Sequence, residues 1–310
     1  MMANNPTTQY GRKLKLIVAD DTGNGLDLSS LKVTFKVKKT DTGTPNSAII
    51  RAYNLADSTV RKIREEFSSM VIEAGYDSNF GLIFTGNIKQ VRYGRENATD
   101  TYIDIAAGDA DEAHNFSIVN KTLSPGATQI DQINAAIEPM EQYGVSLGFV
   151  DNLDNISLPR GKVMHGMCKD YLDQVANTTQ STWSIQNKIV QFVKKTSTLP
   201  SSIINLNSKT GLIGVPEQTN DGISIRVLLN PLIKVAGKVK IDNASIADAA
   251  LPGTNPNAQV NSIASKSADG VYRVLVAEYF GGNFENDWYT DLTCLAVDET
   301  APPGDEVMQS

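Results

Sequence analysis

Leu31-Lys-Val-Thr-Phe-Lys-Val-Lys38 alternates apolar and polar side chains without interruption. A period of two belongs to a strand with one buried and one solvated face, the pattern of antiparallel sheets. Upstream, Leu14, Leu16 and Val18 fall on one face of a second strand, with Lys13, Lys15 and Ile17 on the other, and Asp20-Asp-Thr-Gly-Asn-Gly25 reads as a turn. Downstream, Ser47-Ala-Ile-Ile-Arg-Ala-Tyr-Asn54 supplies a hairpin partner after Gly43-Thr-Pro45. Asp57 or Ser58 is placed to cap a short helix that carries Val60, Ile63, Arg64 and Phe67. Residues 71–76, 80–91 and 99–107 read as three further strands. One helix against several antiparallel strands is a small barrel or sandwich.

The chain has 310 residues, 41% of them hydrophobic, enough for two or three domains. Its 12 Pro and 23 Gly are spread along the sequence, which suits short strands joined by turns. A net charge of -7 argues against a coat for duplex DNA, because phosphate binding needs clustered Lys and Arg. The N-terminus has no charged and apolar leader and no run reaches the ~18 apolar residues of a membrane span, so neither export nor a membrane anchor is indicated. Cys168 and Cys294 lack metal-ligand spacing and read as free buried thiols.

A second style begins at Asp109. Asp109-Ala-Asp-Glu-Ala-His114 reads as a helical turn, and residues 116–122 as extended. Over 127–143, Ile130, Ile133, Ile137 and Met140 form a helical stripe that Pro139 interrupts. A second helix over 167–180 turns Leu172, Val175 and Ala176 inward, and residues 183–193 form a hairpin about Asn187-Lys188. This is a compact α+β unit.

After the polar linker Thr196-Ser-Thr-Leu-Pro-Ser-Ser202, strands resume from Ile203 to Ile241, with breaks at Pro216, Asn220-Asp-Gly222 and Asn230-Pro231. Residues 246–263 read as a loop that a partner orders, 271–280 and 288–297 as a hairpin about Gly281-Gly-Asn283, and 298–310 as a disordered tail.

Any catalytic reading must pass through few ionisable groups. Asp109, Asp111, Glu112 and His114 could poise a histidine for proton transfer, but they read first as a solvated acidic turn. His165 and Cys168 space like two metal ligands without the further donors that zinc needs. The loop from Asp20 puts Leu31 where an EF-hand requires a carboxylate. Trp183 and Trp288 could stack a sugar or a base, yet each sits inside apolar alternation and reads as core. The reading is therefore no enzyme, no catalytic residue, no metal and no cofactor.

Gly211-Leu-Ile-Gly-Val-Pro216, Val227-Leu-Leu-Asn-Pro231 and Asp269-Gly-Val-Tyr-Arg-Val274 with Trp288 resemble the C-terminal barrel of baseplate or tail hub proteins of tailed bacteriophages. Ala52-Tyr-Asn-Leu55 before a helix, with Ile83-Phe-Thr-Gly-Asn-Ile88 as a later strand, is similar to their N-terminal domain, and Pro125-Gly-Ala-Thr128 with Trp183-Ser-Ile185 to their inserted middle domain. The resemblance covers most of 10–297 and is strongest in the last third. Its motif positions are Pro125, Gly126, Trp183, Gly211, Pro216, Leu228, Asn230, Pro231, Gly270, Tyr272 and Trp288. It implies an α+β, mainly β fold: an arm (1–9), a first tube-like barrel (10–108), an inserted α+β domain (109–199), a second tube-like barrel (200–297) and a tail (298–310). It implies a structural virion protein: a homotrimeric hub that joins a sixfold tail tube to a threefold spike. Its partners would be the tail-tube or tube-initiator protein, the central spike and the tape-measure protein, with DNA passing through the lumen unbound. Unlike larger hub proteins, this sequence shows no long C-terminal extension for holding the spike. The size of the middle domain leaves a peptidoglycan-binding module as the alternative.

Overall fold

The computed structural model describes residues 9–20, 22–153, 157–219, 221–247, 266–267 and 270–297. Its first third contains β1 (Arg12–Ala19), β2 (Gly25–Asp27), β3 (Val33–Thr40), β4 (Ser47–Tyr53), α1 (Asp57–Glu65), β5 (Ser69–Tyr76), β6 (Gly81–Arg95) and β7 (Thr101–Gly108). The middle contains α2 (Asp111–Phe116), β8 (Ile118–Leu123), α3 (Gln129–Ile137), a 3-10 turn (Glu138–Tyr143), β9 (Ser146–Val150), β10 (Lys162–Met167), α4 (Cys168–Thr178), β11 (Ser181–Gln186) and β12 (Ile189–Lys194). The last third contains β13 (Ile204–Leu206), β14 (Leu212–Thr219), β15 (Gly222–Leu228), β16 (Lys238–Ile241), β17 (Val271–Gly282) and β18 (Trp288–Ala296). The protein is α+β and mainly β.

The β3 alternation does what its pattern demands: Val33, Phe35 and Val37 are buried while Lys36 faces solvent. β3 pairs with β4 from Val33↔Ala52 to Lys38↔Ser47, the hairpin expected. The first and last thirds are not separate sheets. Thirteen strands form one sheet in the order β14-β15-β18-β17-β3-β4-β7-β6-β5-β1-β2, with β16 beside β17 and β13 beside β16. The join is an antiparallel ladder of β3 and β17, from Thr34↔Gly282 to Thr40↔Val276. Among the described strands the ladder does not return on itself, so no closed barrel is formed by pairing. Side chains fold it back instead. Arg12 donates to the carbonyls of Glu285 and Asn286 (2.9 and 3.0 Å), and Asn79 Nδ2 donates to Asn230 Oδ1 (3.3 Å). One apolar core therefore holds residues of both thirds, among them Leu16, Phe35, Ile50, Ile105, Ile225, Tyr279 and Trp288. A second core, with Ile133, Met140, Leu172, Trp183 and Phe192, belongs to the middle.

Several local expectations need correction. α1 begins at Ala56 with no side-chain cap, because Asp57 lies inside the first turn, where its charge still suits the positive end of the helix. β14 continues past Pro216, and the break expected there is a lapse in its ladder with β15, whose register shifts between Ile213 and Glu217. Ile130, counted in the α3 stripe, faces solvent, while Ile133, Ile137 and Met140 are buried and Pro139 marks the passage to 3-10 geometry. β9 and β10 were not anticipated; β9 pairs with β12 in parallel, and β10 pairs with β8 antiparallel. The expected arm (apart from residue 9), most of the 246–263 loop and the tail lie outside the described residues. Among those described, no helix is long and apolar enough to cross a membrane.

Cys168 and Cys294 are free and buried. Burial pushes the Cys168 thiol up to about 11 and that of Cys294 up as well. Native protein is expected to leave both thiols unreacted with an aromatic disulfide reagent over a time in which denatured protein titrates both, since the thiolate is the reacting species.

Candidate functional site

Lys39 and Thr40 at the end of β3 and Asp41 just after it are all buried despite their polarity. They face the middle segment. Arg273, on β17 and only 3% exposed, forms an ion pair with Asp41, which is equally buried. The same guanidinium donates to Thr182 Oγ1 on β11 (2.8 Å) and to the carbonyls of Lys194 and Ser197 (2.5 and 2.8 Å). Thr182 Oγ1 donates in turn to Asp41 (3.0 Å). One arginine from the last third thus ties the first third to the middle.

A second anchor lies beside the first. Asp109 is fully buried, and its carboxylate accepts the backbone N–H groups of Asn187 and Lys188 (2.5 and 2.8 Å). Both turn residues have positive φ (56° and 65°), the geometry of a tight hairpin turn, and it points successive N–H groups at one anion. Asn46 donates to the Ile185 carbonyl (2.6 Å) and to Asp109 (3.3 Å), Lys39 Nζ to Asn187 Oδ1 (2.9 Å), and Gln186 Nε2 to the Thr40 carbonyl (2.9 Å). Burial raises the Asp109 carboxyl above its usual range, opposed by these N–H groups and the Lys39 charge, and pushes the Lys39 amine down to about 8. The site holds segments together; among the described residues no group of His, Cys, Asp and Glu could hold a metal.

A family model described as baseplate hub gp41 matches residues 29–251, more than two thirds of the chain. The chain belongs to the baseplate hub gp41 family. It is a structural component of the phage tail baseplate. No curated protein sequence matches this hub protein. Its fold is similar to that of a tail protein from Neisseria meningitidis MC58, with TM-score 0.59 and 11% identity over 92% of this chain and 96% of that one. The 43 kDa tail protein of prophage MuSo2 from Shewanella oneidensis gives TM-score 0.60 and 6% identity over 93% and 98%. The E. coli c3393 protein, a type VI secretion component described as similar to T4 tail proteins gp27 and gp5, gives 0.52 and 10% over 94% and 79%. These likenesses establish the fold.

The motif positions of the hub protein do not converge on one site. Pro125 and Gly126 are exposed in the turn before α3, where Thr128 and Asp131 form a capping box. Trp183 is 3% exposed, stacks between His114 and Phe192, and donates from Nε1 to Asp173 Oδ1 (2.6 Å). Trp288 is fully buried, edge-on to Phe35 with ring centroids 5.5 Å apart. Neither indole is free to stack a sugar or base. Gly211 is buried and its carbonyl accepts from the N–H of Leu228 (2.8 Å), while Asn230 and Pro231 pack on the turn of Asn79 and Gly81. Pro216 is buried, and its carbonyl accepts from the N–H of Ala247 (2.8 Å). Tyr272 is buried and its hydroxyl donates to Asn243 Oδ1 (2.7 Å). Gly270 has φ of 72°, and an added Cβ would lie 2.4 Å from the Ile241 carbonyl oxygen. Gly270→Ala is expected to destabilise the protein by about 1–3 kcal/mol in denaturant unfolding.

The suspected acid–base group is dispersed. Asp109 is buried rather than solvated, Asp111 pairs with Lys89 at 2.8 Å, and His114 lies on Trp183, where burial lowers its pKa. His165 is exposed while Cys168 is buried in α4. Asp20 accepts the N–H groups of Thr22 and Asn24 (both 2.9 Å), which closes the turn. Arg273 and Asp41 went unnoticed in the sequence, although one signal existed: continuing the β3 alternation places Lys39 and Asp41 on the same inward face as Val37.

Proposed function

We propose that this hub protein forms a homotrimeric ring that joins the sixfold tail tube to the threefold central spike and surrounds the DNA channel. Residues 10–108 and 200–297 are its two tube-like barrel halves, 109–199 the insertion, and 1–9 and 298–310 an arm and a tail. The observation that carries this reading is the β3–β17 ladder, which sets two β units side by side in one chain. Three such chains present six β units, so one ring can satisfy threefold and sixfold neighbours. The neighbours are the tail-tube or tube-initiator protein, the spike and the tape-measure protein, and the hub assembles in the host cytoplasm. The wall-binding alternative rests on the size and element order of the middle unit alone, and the two indoles that could stack a sugar are buried.

DNA passes without adhering because an acidic lumen would not hold its phosphates. On the solvated sheet face Arg51 pairs with Asp104 and Arg226 with Asp291 (both 2.7 Å), and Lys36 with Glu278 (3.0 Å). This reading predicts a lumen enriched in Asp and Glu. A map of the assembled ring with a basic lumen would overturn it.

Light scattering of the purified protein tests the ring. The expected mass is three times that of the chain at micromolar concentration. A persistent monomer that is also retained by peptidoglycan in a pull-down would favour the wall-binding module instead.

A further inference from the structure

The middle unit is attached in an unusual way. Its apolar core is separate from that of the sheet. Between them lie the buried side chains of Lys39, Asp41, Asn46, Asp109 and Arg273 and the half-buried Thr182 hydroxyl, with Gly43 backed against the Trp183 ring. Buried ion pairs with imperfect satisfaction fix geometry more than they add stability. Here Asp41 Oδ1 and Arg273 Nε are buried without a hydrogen-bond partner among the described residues.

The anchors also coincide with the two chain crossings. The chain enters the unit between β7 and α2 through Asp109 and Ala110, and Ala110 has φ of 50°. It leaves after β12, where Arg273 grips the carbonyls of Lys194 and Ser197. A hinge must lie at such crossings.

We propose that this junction is a latch: the middle unit is a hinged module that opens as one body about residues 109–110 and 195–203 when the Arg273–Asp41–Thr182 contacts and the Asp109 hold on the 187–188 turn break, while both cores stay folded. Opening would uncover the end of β3 and the β11–β12 turn for a partner during assembly.

Hydrogen exchange on the full chain tests the latch. The amides of Asn187 and Lys188 report it, and ladder amides of β4–β7 and β11–β12 report the two cores. In the wild type the latch amides are expected to exchange at least about tenfold faster than either ladder, because local opening lies below global unfolding. In Asp41→Asn/Arg273→Met they are expected to accelerate about tenfold further, although they touch Asp109 and not Arg273, while both ladders stay at least about tenfold better protected than the latch amides. Thr182→Val, which retains the ion pair, provides a milder variant with a smaller increase at the same amides. Equal protection of latch and ladders in the wild type would overturn the proposal. So would loss of the gap between latch and ladders, or no acceleration at the latch amides, in the variants.

Discussion

Arg273→Met is expected to destabilise the docked chain by about 3–5 kcal/mol, the usual cost of removing one partner from a buried ion pair. The guanidinium answers the Asp41 carboxylate, Thr182 and two carbonyls, and methionine fills its volume without replacing any of these bonds. Burial already raises the Asp41 carboxyl above its ordinary value of 3.8, opposed by the Arg273 charge. In the variant the opposition is gone, so the carboxyl binds a proton more readily in the folded state than in the unfolded one. Such a group contributes stability that is present below its unfolded pKa and lost as pH rises through its folded one. The deficit should therefore be smaller in mildly acidic buffer than at pH 8. Asp41→Asn in the same background should recover part of it, because no carboxyl is then left buried without a cation. Denaturant titrations of the single and double variants at two pH values measure both effects, and a deficit under about 1 kcal/mol would show the pair to be effectively solvated.

Trp288→Ala is expected to cost about 3–5 kcal/mol, in the range for emptying a fully buried aromatic site. The indole lies where the halves meet: edge-on to Phe35 of β3, against Gly281 of β17, with the Arg12 guanidinium 5.8 Å from its ring. Its Nε1 has no hydrogen-bond partner among the described residues, so Trp288→Phe removes an unsatisfied donor along with some volume and should cost much less. Trp183→Phe differs, since it strips Asp173 of the indole N–H. The two tryptophans occupy different cores, so each phenylalanine variant leaves one fluorescent reporter of one core. Comparable losses for Trp288→Ala and Trp288→Phe would mean that the indole nitrogen matters in a way the packing does not explain.

Strands whose signal is local were legible. The alternations of β1 and β3, the β11–β12 hairpin and its Asn187-Lys188 turn all stand where the pattern places them, because side-chain period and turn chemistry are properties of a few consecutive residues. Family membership was legible from short motifs. The β3–β17 ladder was not, since it joins residues more than 230 positions apart and neither strand differs in composition from one with another neighbour. The polar junction was hidden for a related reason. Asp41, Asp109 and Arg273 resemble surface charge until the middle unit is placed over them, and only the inward register of Lys39 and Asp41 hinted otherwise. Pro216 was legible as a lapse in the β14–β15 ladder but not as the end of the strand, because an edge strand can continue past a missing N–H.

The most direct test of the hub account is the rotational symmetry of the purified assembly, read from class averages of single particles in the electron microscope viewed down the ring axis. The account predicts a closed ring of threefold symmetry with six similar lobes around an open channel. Isolated monomers, or a ring whose lobe number is not twice its symmetry, would contradict it.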